Sequence, residues 1–414
     1  MTSKGSGWNA RLFWVMGLAL LIRLAFVLLY PQVEVRADAL GYDQEASALA
    51  FHSDGMPATQ VSKGPVYPLF LAASYRIFGH EYAAVRIIQA VISALTIPLL
   101  YGVGRRVFGR PAAWMASLLA AVYPPFISYT GWLLTETLSV LLLLAFIHHI
   151  IKALGSPGVG SWLVAGILAG VTVLLREEML VIVVLVAVVL GWWRVGRRQV
   201  GTMVVAAALT ILPWTLRNYR VFHQFVLVSP LGGHGLWIST HEPEWLEWHF
   251  DDPHYQALTA GLDSVAADNA LRQEAVKNIC TKPLTYLALC ARRIPRFWIG
   301  GHSHSFVGLD RSFGSYAAQG AYVKVAVKLA LLIYNVGLTA LGFLGAYLAW
   351  TLRMADGRHL TLLMLPVVAK AATHVFLFAD LRYQVPIMSF LILFAAFALW
   401  HLRCVVRELV PAPA

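Results

Sequence analysis

The sequence is poor in charged residues. Only 13% of its 414 residues are Asp, Glu, Lys or Arg, whereas 59% are hydrophobic. Because a soluble domain carries about 25% charged residues, this composition excludes an ordinary soluble globular protein. It predicts a polytopic membrane protein instead.

Cysteine is also scarce, with Cys280, Cys290 and Cys404 as its only occurrences. The first two are about 15 Å apart if the segment between them is helical, which is too far for a disulfide. The sequence therefore predicts no disulfide framework. The first apolar run, from Leu12 to Tyr30, can span a bilayer and lacks a small-residue cleavage site, so we expect a retained span rather than a signal peptide.

Apolar runs dominate the chain. A membrane span requires about 20 apolar residues. Ten runs approach this length, at 11–30, 86–104, 111–126, 132–152, 160–176, 178–193, 200–217, 322–351, 360–379 and 386–403. The third and fifth are short, which suggests partly re-entrant segments. The predicted fold class is all-α, with a bundle of about ten transmembrane helices.

The net charge of +11 is distributed over many short loops. This distribution fits membrane topology and contact with anionic lipid rather than nucleic-acid binding. The basic loops contain Arg105, Arg106 and Arg110, then Arg194, Arg197 and Arg198, then Arg353 and Arg358, and finally Arg403 and Arg407. If the spans alternate, these loops share one side, which we predict to be cytoplasmic together with both termini.

The spans divide the chain into three parts. We predict an N-terminal membrane module over 1–217 with a first outer loop at 31–85, an outer-face segment over 218–321, and C-terminal spans over 322–414. Three polar sites interrupt the apolar sequence on the predicted outer side: Asp38 to Asp43, Thr135-Glu136 and Leu381 to Tyr383. A charge in hydrocarbon costs about 2.5–3.5 kcal/mol, so their convergence indicates a site for a charged group.

Asp38 and Tyr42 are four residues apart, so on a helix they share one face, and Asp43 points elsewhere. The alternative is a solvated helix start with Asp38 as its N-cap. Lys63 precedes Gly64 and two prolines, which predict a fixed turn that holds a lysine suited to phosphate. The alternative is an exposed turn lysine.

Glu136 is the only acid between Glu81 and Glu177. We interpret it as functional, although a glutamate in a first helical turn also suits the helix dipole. Arg382 lies in a short outer loop that breaks the positive-inside pattern, and arginine suits bidentate phosphate binding. Arg217 either snorkels toward water or reaches a lipid phosphate.

Other polar clusters have simpler interpretations. Arg176-Glu177-Glu178 is interpreted as an ion pair at a tight turn, with a minor role in orienting a ligand as the alternative. His302-Ser303-His304 is a weak metal candidate, and Gly232 to Gly235 is interpreted as a turn, not a phosphate loop. The acidic patch is interpreted as a solvated face or an acceptor contact rather than a calcium loop, and consists of Glu242, Glu244, Glu247, Asp251 and Asp252.

Taken in order, these motifs resemble those of GT-C fold glycosyltransferases of the protein mannosyltransferase and lipid A aminoarabinose transferase type. The resemblance covers about residues 20–403. It rests on Asp38-Ala-Leu-Gly-Tyr42-Asp, Lys63-Gly-Pro-Val-Tyr67-Pro, Phe78-Gly79, Arg86-Ile-Ile-Gln89, Tyr123-Pro124, Thr135-Glu136, Pro213-Trp214-Thr-Leu-Arg217-Asn218-Tyr219 and Arg382-Tyr383-Gln-Val-Pro386.

The resemblance implies an inverting enzyme that moves a sugar from a polyprenyl-phosphate donor to a lipid, glycan or protein acceptor at the outer face of the cytoplasmic membrane. It assigns catalysis to Asp38, as the base, and to Glu136. Donor phosphate binding falls to Lys63 and Arg382, with Arg217 as a helper. The substrate-contact residues would be Tyr42, Tyr67, Thr135 and Tyr383. No cofactor is required, although a divalent metal could lie between Asp38 and Glu136.

Two features depart from the family pattern, because Ala39 follows Asp38 where relatives have a second acid, and Gly64 follows Lys63 where they have proline. The competing class is a transporter or flippase of lipids or lipid-linked sugars, since intramembrane charges also mark transport pathways. A transporter should show paired repeats and broken helices near the midplane. Here the halves differ and the polar sites lie at one interface, which favours the enzyme.

Overall fold

The protein is described by a computed structural model covering residues 6–30, 35, 37–51, 63–155, 158–241 and 252–409, and within these ranges the chain is helical without strands. The first ten helices are α1 (Ser6–Leu29), α2 (Asp38–Phe51), α3 (Val66–Phe78), α4 (Tyr82–Val107), α5 (Arg110–Ala121), α6 (Pro124–Ser128), α7 (Glu136–Leu154), α8 (Val159–Leu175), α9 (Met179–Trp192) and α10 (Arg197–Phe222). The remaining helices are α11 (Gly232–Ser239), α12 (Pro253–Thr259), α13 (Ser264–Thr281), α14 (Pro283–Trp298), α15 (Phe313–Ala318), α16 (Tyr322–Thr351), α17 (Gly357–Phe376) and α18 (Val385–Leu409).

Every apolar run predicted to span the membrane coincides with a helix, which confirms the all-α polytopic class. In the described residues, seven helices are long and apolar enough to cross a bilayer, or eight if the bent pair α5–α6 is one span. This is fewer than the predicted ten because α8 and α9 are shorter apolar helices, of 17 and 14 residues.

The bend between α5 and α6 measures 55° and falls at Tyr123-Pro124-Pro125, as the sequence predicts. Proline cannot donate a backbone hydrogen bond, so two in succession end α5 and restart the chain in a new direction. A 3₁₀ turn over Tyr129–Gly131 follows, and α7 then begins at Glu136. The break therefore delivers Thr135-Glu136 to the same end of the bundle as α2, which we call the site end.

Helix α18 forms the centre of the bundle, where it packs against α16, α5 and α7. Small residues allow the closest approaches. At Gly345, a Cβ would lie only 1.9 Å from the backbone oxygen of Phe394, and at Gly342 a Cβ would lie 2.9 Å from the backbone oxygen of Leu391. Any larger residue would separate α16 from α18, and the loop before α18 carries Arg382.

The segment between α10 and α16 lies at the site end, and its described residues form helices α11 to α15 with their connecting loops. The interpretation of Gly232 to Gly235 as a turn is wrong, because α11 begins at Gly232. The backbone N–H groups of Gly233 and His234 donate to Asp268 Oδ1 at 2.6 and 3.0 Å, so this helix start is already capped. Of the acidic patch only Asp252 is described, where it caps α12 by accepting from Tyr255 N at 2.8 Å. Glu242, Glu244, Glu247 and Asp251 lie outside the described residues.

Candidate active site

Asp38 is the first residue of α2, so Asp38 and Tyr42 share one helical face, as predicted. Lys63 contacts both side chains. Its Nζ lies 2.7 Å from Asp38 Oδ1 and 4.2 Å from the centre of the Tyr42 ring. The contact joins two segments that are separated along the chain by α2 and by residues outside the described ranges.

Arg382 binds the other oxygen of the same carboxylate. Its Nη2 lies 2.5 Å from Asp38 Oδ2, and its backbone N–H donates to Asp380 Oδ1 at 2.8 Å. Burial by itself disfavours the charged form of Asp38, but the positive charges of Arg382 and Lys63 outweigh it. Together they hold the pKa of Asp38 well below its usual range.

Gly64 explains why Lys63 is held in place. A Cβ at this position would lie 2.2 Å from the backbone oxygen of Leu174, near the end of α8. Glycine therefore lets the turn pack directly on α8. Pro65 then precedes the first turn of α3. The predicted fixed turn is confirmed, and it is fixed by tertiary contact as well as by proline.

Glu136 lies at the start of α7 and is only 1% exposed. Its Oε1 accepts from Arg176 Nη1 at 3.2 Å, and the same nitrogen donates to Thr135 Oγ1 at 2.9 Å. Glu136 Oε2 has no hydrogen-bond partner among the described residues. A buried carboxylate oxygen without a donor is costly, so it is a natural acceptor for a bound hydroxyl or amine.

Arg176 links Glu136 to a second acid. Its Nε lies 2.7 Å from Glu178 Oε1, which confirms the predicted ion pair at the α8–α9 turn. Lys370 Nζ, from the buried face of α17, binds the same Glu178 oxygen at 3.1 Å. The sequence interpretation missed Lys370. The signal was available, because Lys370 and His374 interrupt an apolar span at a spacing of four residues.

Tyr383 connects the two halves of the site. Its ring stacks on His374 at 4.1 Å, and the guanidinium carbons of Arg176 and Arg382 lie 4.8 and 4.9 Å from the ring centre. Arg382 Nη2 also donates to its hydroxyl at 2.9 Å. We call the joined side chains the charged cluster, which consists of Asp38, Lys63, Glu136, Arg176, Glu178, Lys370, Arg382 and Tyr383.

Tyr67 lies one layer behind the charged cluster. Its ring meets Tyr42 edge to face at 4.9 Å, and its hydroxyl donates to Gln89 Oε1 at 2.9 Å. Gln89 in turn donates to the backbone oxygens of Thr130 and Trp132. Tyr42 is thus fixed from behind by a fully bonded buried network, and Tyr67 is placed to support it.

Arg217 is separate from this cluster. Its guanidinium stacks on Trp214 at 4.9 Å and donates to Asn218 Oδ1 at 3.2 Å. Trp214 and Lys63 line a small cavity of about 30 Å³, whose other walls are Glu45, Leu49, Pro65, Pro68 and Leu69. Arg217 therefore borders the Lys63 side of the site through its contact with Trp214.

Asp43 points away from Asp38, as expected. Its Oδ1 accepts from Tyr75 at 2.6 Å and lies 2.7 Å from His80 Nε2, and its Oδ2 accepts from Tyr82 at 3.0 Å. With every oxygen bonded, Asp43 ties α2 to α3 and α4. A larger cavity of about 390 Å³ lies nearby between α1 and α4, but Asp38 and Lys63 are not among its lining residues.

The histidine motif joins a hydrogen-bonded core. His302 Nε2 lies 3.2 Å from Gln384 Oε1, and burial lowers the pKa of His302 to about 3. His304 Nε2 lies 3.3 Å from the Tyr129 hydroxyl. Across the described ranges, no group of three or more His, Cys, Asp or Glu residues could hold a metal ion.

Comparison with known families places part of this site in a recognised sequence context. Residues 62–216 match the family model described as dolichyl-phosphate-mannose-protein mannosyltransferase. The match covers less than half of the chain. It includes Lys63, Glu136 and Arg176, whereas Asp38 and Arg382 lie outside it. No curated protein sequence matches the chain significantly.

Solved structures show the same fold. The archaeal oligosaccharyltransferase of Archaeoglobus fulgidus, tethered to an acceptor peptide, aligns with a TM-score of 0.57 and 16% identity over 99% of this chain. The AglB complex with an inhibitory peptide and a dolichol-phosphate aligns with a TM-score of 0.55 and 14% identity. This chain spans about half the length of both proteins, 51% and 53%. The predicted GT-C fold is therefore confirmed.

Proposed function

We propose that this chain, which has the GT-C glycosyltransferase fold and a partial mannosyltransferase family match, transfers a sugar from a polyprenyl-phosphate donor to an acceptor. One observation carries the proposal: a carboxylate, Asp38, is shared between two cations, Lys63 and Arg382. Displacing a prenyl phosphate from a sugar requires a base for the acceptor and cationic groups for the leaving phosphate, and these three residues supply both.

The reaction is a displacement at the anomeric carbon. Asp38 accepts the proton of the acceptor hydroxyl or amine while the acceptor oxygen or nitrogen forms a bond to that carbon. The bond between the anomeric carbon and the phosphate oxygen breaks, and its electron pair leaves with the prenyl phosphate. Lys63 and Arg382 stabilise the negative charge that develops there. Attack opposite the leaving group inverts the sugar.

Two cations hold the pKa of Asp38 low in this structure, which makes the carboxylate a weak base. A donor phosphate competes with the carboxylate for Lys63 and Arg382. As the phosphate takes over those hydrogen bonds, the pKa of Asp38 rises and the carboxylate becomes a better base. Binding of the donor thus activates the group that acts on the acceptor.

Glu136 and Tyr383 would position the substrates. Glu136 Oε2 is buried and accepts no hydrogen bond from the described residues, so it is available to a hydroxyl or amine of the acceptor or the sugar. Tyr383 is fixed by His374 on its ring and by Arg382 on its hydroxyl. Thr135 and Tyr42 complete this surface, and Arg217 is proposed as an accessory phosphate contact on the Trp214 side.

We place the protein in the cytoplasmic membrane with the site end facing outward. The arginine loops at 105–110, 194–198, 353–358 and 403–407 all lie at the opposite end of the bundle, given the alternation of the helices. Positive loops remain cytoplasmic. In this orientation the donor lipid and its lipid, glycan or protein acceptor meet at the outer face. Both termini are cytoplasmic.

Sugar transfer in proteoliposomes tests the proposal. Wild type, Asp38→Asn and Lys63→Met are each given radiolabelled polyprenyl-phosphate sugars and an extract of lipid and protein acceptors. Glu81→Gln serves as the matched control, because Glu81 is an exposed acid at the same end whose side chain caps no helix. We expect label to reach an acceptor with wild type and control only. Donor that crosses the bilayer unchanged with every variant would instead indicate a flippase.

A further inference from the structure

Helix α14 has an exposed apolar stripe. Leu284, Leu287 and Ile294 are 80%, 55% and 49% exposed, and with Ala291 and Trp298 they recur every three or four residues. This spacing places them on one side of a helix. The opposite side is buried through Leu289, Cys290, Arg293 and Phe297. An isolated helix facing water would not present this much apolar surface.

The buried side is attached to the end of a span. The Tyr286 hydroxyl donates to the backbone oxygen of Phe376, the last residue of α17, at 2.6 Å. Arg293 donates to the backbone oxygens of Val375, at 3.4 Å, and Ser239. Because α17 is long and apolar enough to cross a bilayer, α14 lies at the level where that span ends.

The C-terminal end of α14 reaches the depth of the membrane. Trp298 packs edge to face on Phe343, with ring centres 5.1 Å apart. Phe343 lies in the interior of α16, beside Gly342, which packs on Leu391 of α18. The stripe is therefore continuous with the lipid-facing surface of the bundle, and bilayer hydrocarbon is the occupant that fits it.

A basic edge runs beside the stripe. Arg292 and Arg296 are four residues apart and exposed. A helix with an apolar face in the acyl region and arginines along its edge binds anionic headgroups. The arginine stems can lie along apolar surface while the guanidinium groups stay at the phosphate level.

We propose that α14 is an in-plane lipid-binding helix, with Leu284, Leu287 and Ile294 in the hydrocarbon and Arg292 and Arg296 on anionic phospholipid headgroups. The helix also packs against the 3₁₀ turn Leu381–Gln384, which carries Arg382. At Gly300, just after α14, a Cβ would lie 2.0 Å from Leu381, so this junction is tight. Lipid held by α14 therefore borders the loop that supplies Arg382.

Spin-label depth measurements test the apolar half. Cys404 is replaced by serine in every variant, and buried Cys290 is kept. The two variants labelled on the stripe, Leu287→Cys and Ile294→Cys, also carry Cys280→Ser, so that each has one exposed cysteine to label. The control label sits on native Cys280, which is exposed on the neighbouring α13. In nanodiscs, labels on the stripe should be accessible to oxygen and protected from a water-soluble nickel reagent, with the reverse at Cys280. Equal nickel access at all three positions would overturn the proposal. It would also be overturned if the labels on the stripe were protected from nickel but inaccessible to oxygen, because that result indicates a bound protein instead of lipid.

Lipid retention tests the arginines without reference to sugar transfer. Phosphatidylglycerol kept relative to phosphatidylcholine is measured by mass spectrometry after graded detergent washing. The Arg292→Gln/Arg296→Gln variant should lose about fivefold in selectivity for each arginine removed, which corresponds to about 1 kcal/mol per residue. The matched control, Lys277→Gln/Arg311→Gln, removes two exposed charges from the same segment and should retain wild-type selectivity. Unchanged selectivity in the arginine variant would reject anionic headgroup binding.

Discussion

Lys370 and Glu178, which are 192 residues apart in the sequence, form an ion pair of 3.1 Å within the charged cluster, in which the lysine side chain is 1% exposed and the glutamate side chain 22% exposed. The pair joins α17 to the turn between α8 and α9. Because Glu178 also binds Arg176, and Arg176 binds Glu136, a change at Lys370 is transmitted to a residue of the proposed acceptor site. Lys370 itself touches neither Asp38 nor Lys63 among the described contacts, so its role is to position other groups.

We expect Lys370→Met to destabilise the fold. Removing Lys370 leaves the partly buried Glu178 with Arg176 as its ion-pair partner, and loss of a hydrogen bond to a charged group costs about 1.5–3 kcal/mol. The free energy of unfolding, measured by denaturant titration in mixed micelles, should fall by that order. Lys277→Met is the control, because this lysine is exposed and its pair with Glu274 is a surface one.

A double-variant cycle separates pairing from packing. Lys370→Met combined with Glu178→Gln removes both charges, so the combined loss should be smaller than the sum of the two single losses. Additive losses would show that Lys370 stabilises the bundle by packing alone.

Asp38→Asn should separate donor binding from chemistry. Loss of the base lowers the rate of transfer by about 100-fold or more. Loss of the carboxylate also frees Lys63 and Arg382, its two hydrogen-bond partners. We therefore expect polyprenyl phosphate without a sugar to bind to Asp38→Asn about tenfold more tightly than to wild type. This corresponds to a gain of about 1.4 kcal/mol in binding free energy. Isothermal titration calorimetry in micelles gives the affinity, with Glu81→Gln as the control. Weaker binding by Asp38→Asn would contradict the proposed competition between carboxylate and phosphate.

The sequence predicted the parts of the site that carry a local signal. Asp38, Lys63, Glu136 and Arg382 each interrupt an apolar pattern or adjoin a turn motif, and α2, α7 and α18 begin within a few residues of three of them. Alternation of the spans then placed them at one end. All ten apolar runs coincide with helices, because burial in lipid requires long uniform apolar segments, although only seven or eight of the described helices are long enough to span.

Pairing across the bundle was not predictable in the same way. The local sequence predicts the ion pair of Arg176 with Glu178, but nothing near Arg176 indicates that it also binds Glu136, since that depends on how α7 and α8 pack. The start of α11 was mistaken for a turn because three glycines usually disfavour a helix. Here the carboxylate of Asp268, supplied from α13, caps two N–H groups and offsets that preference.

Gly64→Ala should impair the site without touching any charged group. The new Cβ would lie 2.2 Å from the backbone oxygen of Leu174, so the turn must move away from α8 and carry Lys63 with it. We expect a KM for donor raised about tenfold, with a smaller change in kcat, because phosphate contact is lost before chemistry. Gly160→Ala is the matched control, since a Cβ there meets nothing within 4 Å. Equal kinetics in the two variants would mean that the turn does not fix Lys63.

The buried imidazole of His302 should make stability depend on pH. Its pKa is lowered to about 3 in the folded protein, because burial opposes protonation, against about 6.5 in the unfolded chain. Above pH 6.5 both states are neutral and the contribution is fully present. As the pH falls below 6.5 the unfolded chain binds a proton that the folded protein does not, so stability is lost toward pH 3. Between pH 7 and 5 this amounts to about 2 kcal/mol for one such group.

His302→Asn isolates that contribution, because His302 has a left-handed backbone with φ of 52°, which asparagine tolerates. The free energy of unfolding of the variant should fall by about 2 kcal/mol less than that of wild type between pH 7 and 5. His223→Asn is the control, since His223 has the same backbone conformation, with φ of 53°, at an exposed position. His304, whose pKa burial also lowers, remains in every variant and sets the residual slope. Parallel pH profiles for wild type and His302→Asn would contradict this prediction. They would show that His302 binds protons equally in the unfolded and the folded protein.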